Sequence, residues 1–327
     1  MECKDHLMND DREFTELKIP GRVCLFGDKI DLKGFPVIGA TVNLFLTLKI
    51  RPLAEPVVKL RSENFPGGLE YPLGEKGDWN HPLKYWAAVA YRLRNKISGF
   101  EAIMKSDIPI GSGLSSSAAV SVALAKGLNT IFNLGLSTME IAEIAYRAEH
   151  DDLGIMCGRL DQYTIAFGGV VFIDTGEVPR VEPIQIASLP IVVGDTQEER
   201  HAKTVLNSVK QRVLANDPVV TDAFDKMHEG VLKGRIALER GDFAEVGRWM
   251  TKQQAQEDRI GAATEKLNRL CRVSIEAGAY GAKQMGAGGG GCMVAVCPGK
   301  QHEVADAITK AGGKAWIFDI FHYPTGD

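Results

Sequence analysis

The chain carries a few short segments whose residue types and spacing can do chemistry. The first is Gly111-Ser112-Gly113-Leu114-Ser115-Ser116-Ser117, which runs into Val120, Ala123, Leu124, Leu128, Ile131 and Phe132 at helical spacing. That spacing predicts a helix over 113–132. The first-turn N–H groups of a helix have no intrahelical partner, and its dipole favours an anion there. Glycines let backbone amides approach a ligand, and serine hydroxyls can bond phosphate oxygens or ligate Mg²⁺. The segment is a phosphate-cradle design, although no Gly-Lys-Ser/Thr of a Walker loop follows. Taken alone, it equally suits an N-cap with small residues for close helix packing.

A second segment is Gly286-Ala287-Gly288-Gly289-Gly290-Gly291, between Lys283-Gln-Met and the apolar run 292–296. A flexible linker would have polar flanks. This run joins apolar elements, so its glycines permit close backbone approach or form a tight turn or bulge. A third segment sets Asp28, Lys29, Asp31 and Lys33 directly after an apolar strand. Carboxylates there can accept hydrogen bonds from polyol hydroxyls, and the same residues suit a solvated turn. Finally, Glu149 closes a predicted helix and Asp161 follows twelve residues on, past Gly158. They could be a metal-ligating Glu and a base Asp, or two surface carboxylates.

Positioning these groups requires a scaffold, and the pattern supplies one. A short strand over 17–27 ends in a glycine turn, and 37–51 is rich in Val, Leu, Ile and Thr, giving one or two strands. Prolines and glycines mark 61–82 as a long loop. Leu83, Trp86, Ala87, Ala90 and Leu93 share a face and predict a helix over 83–95. Tyr85 and Trp86 read as core. Residues 100–104 read as a strand. Ser137-Thr-Met-Glu140 is a capping box opening a helix to about 151. Strands are expected at 170–174, 189–194, 292–296 and 315–321. The block 203–277 is helical, broken at Asp217-Pro218 and Gly241-Asp242. His201 either faces a substrate or sits on a surface loop. This order is not a regular strand–helix alternation, so it favours an α+β fold. A boundary near 188 gives domains 15–188 and 189–327, after a frayed tail over 1–14.

The 327 residues suit one large or two packed domains. A net charge of −4 asks for no nucleic-acid partner and no anionic membrane, so attraction for an anionic ligand must be local. The polar N-terminus lacks the apolar core of a signal peptide, and no apolar run reaches a membrane span. Six scattered cysteines form no Cys-x-x-Cys pair and suit free thiols in the cytoplasm.

Together, the order and wording of these segments from about Pro20 to Val296 resemble the superfamily of galactokinase, homoserine kinase, mevalonate kinase and phosphomevalonate kinase, the GHMP kinases. The resemblance implies a mixed-sheet N-terminal domain and a ferredoxin-like C-terminal domain, with the active site in the cleft between them. It implies ATP and Mg²⁺, and a monomer or homodimer acting on a small molecule. By position, Gly111 to Ser117 resembles the ATP phosphate loop, with Ser117 and Glu149 on Mg²⁺. Asp161 resembles the catalytic aspartate and Arg22 its basic partner. Asp78-Trp79-Asn80 to Tyr85 looks like the adenine side, placing Trp79 on the nucleotide. Asp28, Lys29, Asp31, Gly158, Gly288 and Gly289 fall at positions near the substrate.

Within the superfamily, Gly158-Arg-Leu-Asp-Gln-Tyr resembles the sugar kinases, and the Pro-Ser-Gly usual before the aspartate of mevalonate kinases is absent. The resemblance therefore implies a galactokinase-like sugar 1-kinase. The alternatives are a heptose, N-acetylhexosamine or mevalonate kinase, or a non-catalytic sugar and ATP sensor. The first motif departs from galactokinases: Cys24, Asp28-Lys29 and Asp31-Leu32 stand where Asn, Glu-His and Asp-Tyr are usual. Lys29 could instead pair with an anionic substituent on the sugar.

Overall fold

The computed structural model describes residues 13–199 and 201–324. The expected tail over 1–14 lies almost wholly outside the described residues. A first sheet is built from β1 (Thr15–Phe26), β2 (Val37–Pro52), β3 (Val57–Ser62), β4 (Gly68–Pro72), β5 (Phe100–Ser106), β6 (Val170–Asp174) and β7 (Arg180–Pro183). Its path is β4-β3-β5-β2-β6-β7, with β1 along β2. Only the β3–β5 pairing among these strands is parallel. The apolar segment expected to give one or two strands is the single long β2, which reaches β6 with its first half and β5 with its second. The stretch read as a loop over 61–82 holds β4, because Leu69 and Tyr71 pair with Leu60 and Val58.

Helices α1 (Lys84–Leu93), α2 (Ser116–Phe132), α3 (Thr138–Arg147) and α4 (Leu160–Phe167) accompany this sheet. The centre of α2 is buried nearly all round, with Ala118, Ala119, Val122, Ala123, Leu124 and Ala125 at 0% exposure. Small residues let it lie close to the strands: a Cβ on Gly127 would meet Leu48 at 2.7 Å. The helix starts at Ser116 rather than 113, since Gly111, Gly113 and Ser115 have left-handed φ and form a loop. The Ser137–Glu140 capping box opens α3 as expected.

The second sheet comprises β8 (Ile191–Asp195), β9 (Gly281–Gln284), β10 (Cys292–Val296) and β11 (Lys314–Phe318) in the order β11-β8-β10-β9. With all pairs antiparallel, this is the split βαβ order of a ferredoxin-like domain. Helices α5 (Ala202–Leu214), α6 (Pro218–Glu239), α7 (Phe243–Arg259) and α8 (Glu265–Glu276) form the helical block, and α9 (Gln301–Lys310) precedes β11. The breaks at Asp217-Pro218 and Gly241-Asp242 are helix starts, with Asp217 and Asp242 as N-caps. Helices α8 and α9 bury Leu267, Leu270, Val304 and Ile308 against Val192 and Met293 in a small core of their own. None of the described helices is long and apolar enough to cross a membrane.

Helices α6 and α7 carry the helical block onto the first sheet. A Cβ on Gly234 of α6 would meet the Phe26 ring at 2.5 Å, so only glycine allows this approach. We take 15–188 and 189–327 as the two domains, because the two sheets fall on either side of that boundary. The chain then crosses back: Phe321 N–H donates to Thr41 O at 3.1 Å and Asn43 N–H to Asp319 O at 3.1 Å.

Candidate functional site

Strand β1 is irregular between Pro20 and Gly21. Gly21 leaves room for Leu114 O, which would lie 3.2 Å from a Cβ there, and Arg22 N–H donates to that same oxygen at 3.2 Å. The serine loop therefore touches down beside Arg22. The guanidinium donates through Nη1 to Gly113 O at 2.6 Å, and through Nε and Nη2 to Asp161 Oδ1 at 2.7 and 2.5 Å. Ser115 Oγ donates to Asp161 Oδ2 at 2.5 Å. Loop, strand and α4 thus meet at Asp161, in the first turn of a helix that the sequence pattern did not suggest.

Glu149 lies in a π-helical turn, Ala148–Asp152, that continues α3. Such bulges turn side chains off the regular helical face and recur at functional sites. Rather than on the surface, its carboxylate is buried at 2% exposure. It accepts Gln162 Nε2 at 3.0 Å, and the nearby Ser117 and Ser121 hydroxyls favour its charged form. Burial pushes the Glu149 carboxyl up to about 7. A buried carboxylate and a serine hydroxyl in mutual contact are hard oxygen donors, so Ser117 and Glu149 fit Mg²⁺. Ser121 and Gln162, which complete this shell, carry no motif signal beyond their neighbours Ser117 and Asp161.

Asp31 sits in the 3-10 turn Ile30–Lys33, and its Oδ2 accepts Leu160 N–H at 3.4 Å, at the start of α4. Gly158 makes that approach possible, since a Cβ there would fall 1.8 Å from Asp31 Oδ2. Burial, and the nearby Asp161 and Asp28 charges, push Asp31 up to about 6 against the pull of the Leu160 amide.

Arg22, Asp31, Ser115, Ser117, Glu149 and Asp161 share a cavity of about 810 Å³. Its apolar end is walled by Phe65, Pro82, Tyr85, Met104, Ile108 and Ile110, and the second domain closes it with Ala202, Leu206, Gly286 and Ala287. Several expected site residues fall elsewhere. Trp79 is not on the cavity wall; its Nε1 donates to Lys76 O at 2.7 Å and its ring meets Tyr91 edge-on. Tyr85, read as core, takes its place, while Trp86 is fully buried as expected. Ser112 and Leu114 are buried beneath the loop. Gly288 and Gly289 face away from the cavity: Gly289 N–H donates to Ala262 O at 2.9 Å, and Gly289 O accepts His201 N–H at 2.8 Å. His201 is exposed at the start of α5.

Asp28 and Lys29 border the cavity, but their charges are spent inside the protein. Asp28 pairs with Lys283 and accepts the Gly286 N–H and Gln253 Nε2. Lys29 Nζ pairs with Glu257 at 2.7 Å and donates to Gly286 O at 2.9 Å. This corrects the expectation that Lys29 meets an anionic substituent on the substrate. Lys283, Gln253 and Glu257 escaped sequence reasoning because each lies more than 200 positions from its partner; the Asp28–Gln253 separation is 225.

An aspartate clamped by an arginine beside a serine-rich helix start, over a buried carboxylate, matches what the resemblance implies. Comparison with known proteins decides the family. The model of the GHMP kinases N-terminal domain matches residues 80–169, and that of the GHMP kinases C-terminal domain matches 235–314. Mevalonate kinase of Pyrococcus horikoshii is 32% identical over 90% of this chain and 92% of its own. The chain belongs to the GHMP kinase family. This GHMP kinase is also 29% identical to galactokinase of Pyrococcus furiosus, over 90% of this chain and 92% of that one. Lactococcus lactis galactokinase in complex with galactose shares the fold, with a TM-score of 0.82 over 96% of this chain and 95% of that chain at 23% identity. The GHMP kinase is thus a phosphotransferase with an alcohol group as acceptor.

Proposed function

We propose that this GHMP kinase transfers the γ-phosphoryl group of ATP to a hydroxyl of a neutral sugar, with the anomeric O1 as acceptor. The observation that carries this reading is the charge around the cavity. Among the described residues lining it, the cations are Arg22 and Lys29, and each is paired with a carboxylate. Asp31, held by the Leu160 amide, and Asp161, held by Arg22 and Ser115, would face the acceptor. Carboxylates accept hydrogen bonds from hydroxyls, whereas an anionic acceptor would need a free cation.

Phosphoryl transfer has a loose transition state, so positioning and charge stabilisation supply most of the rate. The loop amides and hydroxyls over Gly111–Ser117 cradle the phosphates at the start of α2. Ser117 and Glu149 would hold Mg²⁺, which neutralises phosphate charge when bound. Arg22 stabilises charge on the transferring group and holds Asp161 in place. Asp161 aligns the hydroxyl and accepts its proton. Both Asp161 oxygens accept hydrogen bonds, from Arg22 and from Ser115, which fix the carboxylate in place to align the hydroxyl. The anomeric hydroxyl is the most acidic hydroxyl of a free sugar, so it gives up its proton most readily. Asp31 binds neighbouring hydroxyls.

A second reading, mevalonate as acceptor, is favoured by the 32% identity to the Pyrococcus horikoshii enzyme. Mg²⁺-dependent release of ADP across neutral sugars, uronic acids, sugar phosphates and mevalonate tests both. A neutral sugar turning over, with the phosphate on O1 by NMR, supports the first. Turnover of mevalonate with silence on sugars overturns it.

A further inference from the structure

Two consecutive side chains of the first motif hold a single residue of the third. Asp28 accepts the N–H of Gly286, and Lys29 Nζ donates to the carbonyl of the same Gly286 at 2.9 Å. The grip is made by the conformation of the turn. Lys29 is a non-glycine residue at φ 70°, and this left-handed step swings its side chain to the Gly286 carbonyl while Asp28 meets the amide. Each side chain is then fixed from the second domain. Lys283 and Gln253 meet Asp28, while Glu257 meets Lys29, and the four charged residues, a quartet, have side chains at most 2% exposed. Gln253 Oε1 also accepts Gly27 N–H at 3.1 Å, and Lys283 Nζ donates to Cys24 O at 3.1 Å. The charges sum to zero, as burial demands. None of these bonds leaves a charge for a ligand, yet the quartet holds two parts of the cavity wall. Gly286 and Ala287 lie on one side, and Asp31 follows Lys29 by two residues on the other.

The geometry points to Asp28, Lys29, Lys283 and Glu257 as positioning residues: an interdomain clamp that sets the distance between the Gly286 turn and Asp31, and so the fit of the acceptor. The inference rests on the proposed kinase reading for its effect on the acceptor, but not for the clamp itself. The clamp's contacts run through Asp28, Lys29, Gly286, Lys283, Gln253 and Glu257 and do not involve the Gly111–Ser117 loop of the proposed reading, so a fault in the clamp is expected to act on the acceptor and spare ATP.

The test uses the full chain in three forms: Asp28→Asn, Lys283→Met and the double variant. Each single change leaves a buried charge unpaired and lowers Tm. The double change removes both charges, and Tm recovers. If the clamp positions the acceptor, the acceptor KM stays raised by roughly tenfold or more in the double variant, while the ATP KM stays within about twofold. Recovery of the acceptor KM together with Tm would overturn the inference, as would an equal rise of both KM values. Amide exchange gives a readout that needs no acceptor. Residues 27–33 and 281–287 should exchange about tenfold faster in the double variant, with β8 and β10 unchanged. Unchanged exchange in either segment overturns the clamp. Should the parent enzyme turn over no hydroxyl acceptor, the kinase reading fails, and exchange still decides the clamp. Lys29→Met with Glu257→Gln repeats the test from the carbonyl side if the first double variant does not fold.

Discussion

Replacing Asp161 by asparagine separates chemistry from scaffolding at the centre of the site. The change keeps the shape of the side chain. Oδ1 can still accept from Arg22, whose Nη1 also keeps Gly113 O at 2.6 Å. Breaking a buried ion pair by removing one partner costs about 3–5 kcal/mol. Here the Asp161 side chain is 31% exposed and the Arg22 bonds to Oδ1 survive, while the Ser115 hydroxyl must turn to accept from the new amide, so water and geometry reduce the loss to about 1–2 kcal/mol. For a chain of this size that is a fall of a few degrees in Tm. Loss of a positioned proton acceptor costs about 10²–10⁴ in kcat. The two effects therefore differ in kind: kcat falls by about 10² or more while the fold stays intact. The assay is ADP release at saturating ATP and acceptor, beside calorimetry of both proteins. A kcat within about threefold of the parent would exclude Asp161 as the proton acceptor. A collapse of Tm would show that the residue serves the scaffold first.

Other substitutions follow the same geometry. Glu149→Gln should raise the Mg²⁺ concentration needed for half-maximal rate by about tenfold or more, without lowering the Tm of the metal-free protein, because it removes a carboxylate whose charge burial disfavours; an unchanged Mg²⁺ titration would refute the assignment. Asp31 is pushed up to about 6, so its neutral form suits the unliganded fold. Its contribution to stability is fully present below its ordinary range near 3.8 and is lost as pH rises through about 6. Partial exposure limits the effect to about 1–2 kcal/mol, and Asp31→Asn should flatten this part of the Tm–pH curve. Acceptor KM should improve over the same range, as the ionised carboxylate accepts more hydrogen bonds. Tyr85→Ala should raise the ATP KM by about tenfold and Trp79→Ala by less than about twofold, since only Tyr85 of the two lines the cavity; equal effects would return Trp79 to the nucleotide. Gly288→Ala should destabilise more than Gly299→Ala. Both have left-handed φ, but a Cβ on Gly288 would lie 2.1 Å from Ala262 O, whereas Gly299 faces open space. Backbone strain alone costs about 1–2 kcal/mol, and calorimetry reads the excess.

What could be read from the sequence was what local chemistry determines. The Ser137–Glu140 box was legible because a helix end needs partners within a few residues, and Asp217-Pro218 and Gly241-Asp242 were legible as breaks, though not as the N-caps they prove to be. The long β2 was legible from its apolar content. Helix α4 was not, because Leu160–Phe167 is short and buried over most of its surface, so no apolar stripe marks it. Strand β4 hid among prolines and glycines that lie at its ends and in the following turn. The burial of Glu149 could not be foreseen, since a π-helical turn rotates the residue off the face that the preceding helical periodicity predicts.

The Asp28–Lys29 pair shows why motif position and role can part. At these positions a carboxylate and a cation border the cavity, where a substrate contact is the natural expectation. Each role depends on side chains more than 200 residues away, with separations of 225 to Gln253 and 257 to Gly286. Once Lys283 and Glu257 arrive, burial makes pairing within the protein compulsory, because an unpaired ammonium or carboxylate there would cost several kcal/mol, roughly. A charge that must be paired to allow folding cannot also be free to choose a substrate. In the proposed reading the acceptor meets Asp31 and Asp161, each already held in place by the protein. Both carboxylates accept hydrogen bonds, which is what the hydroxyls of the proposed acceptor would donate.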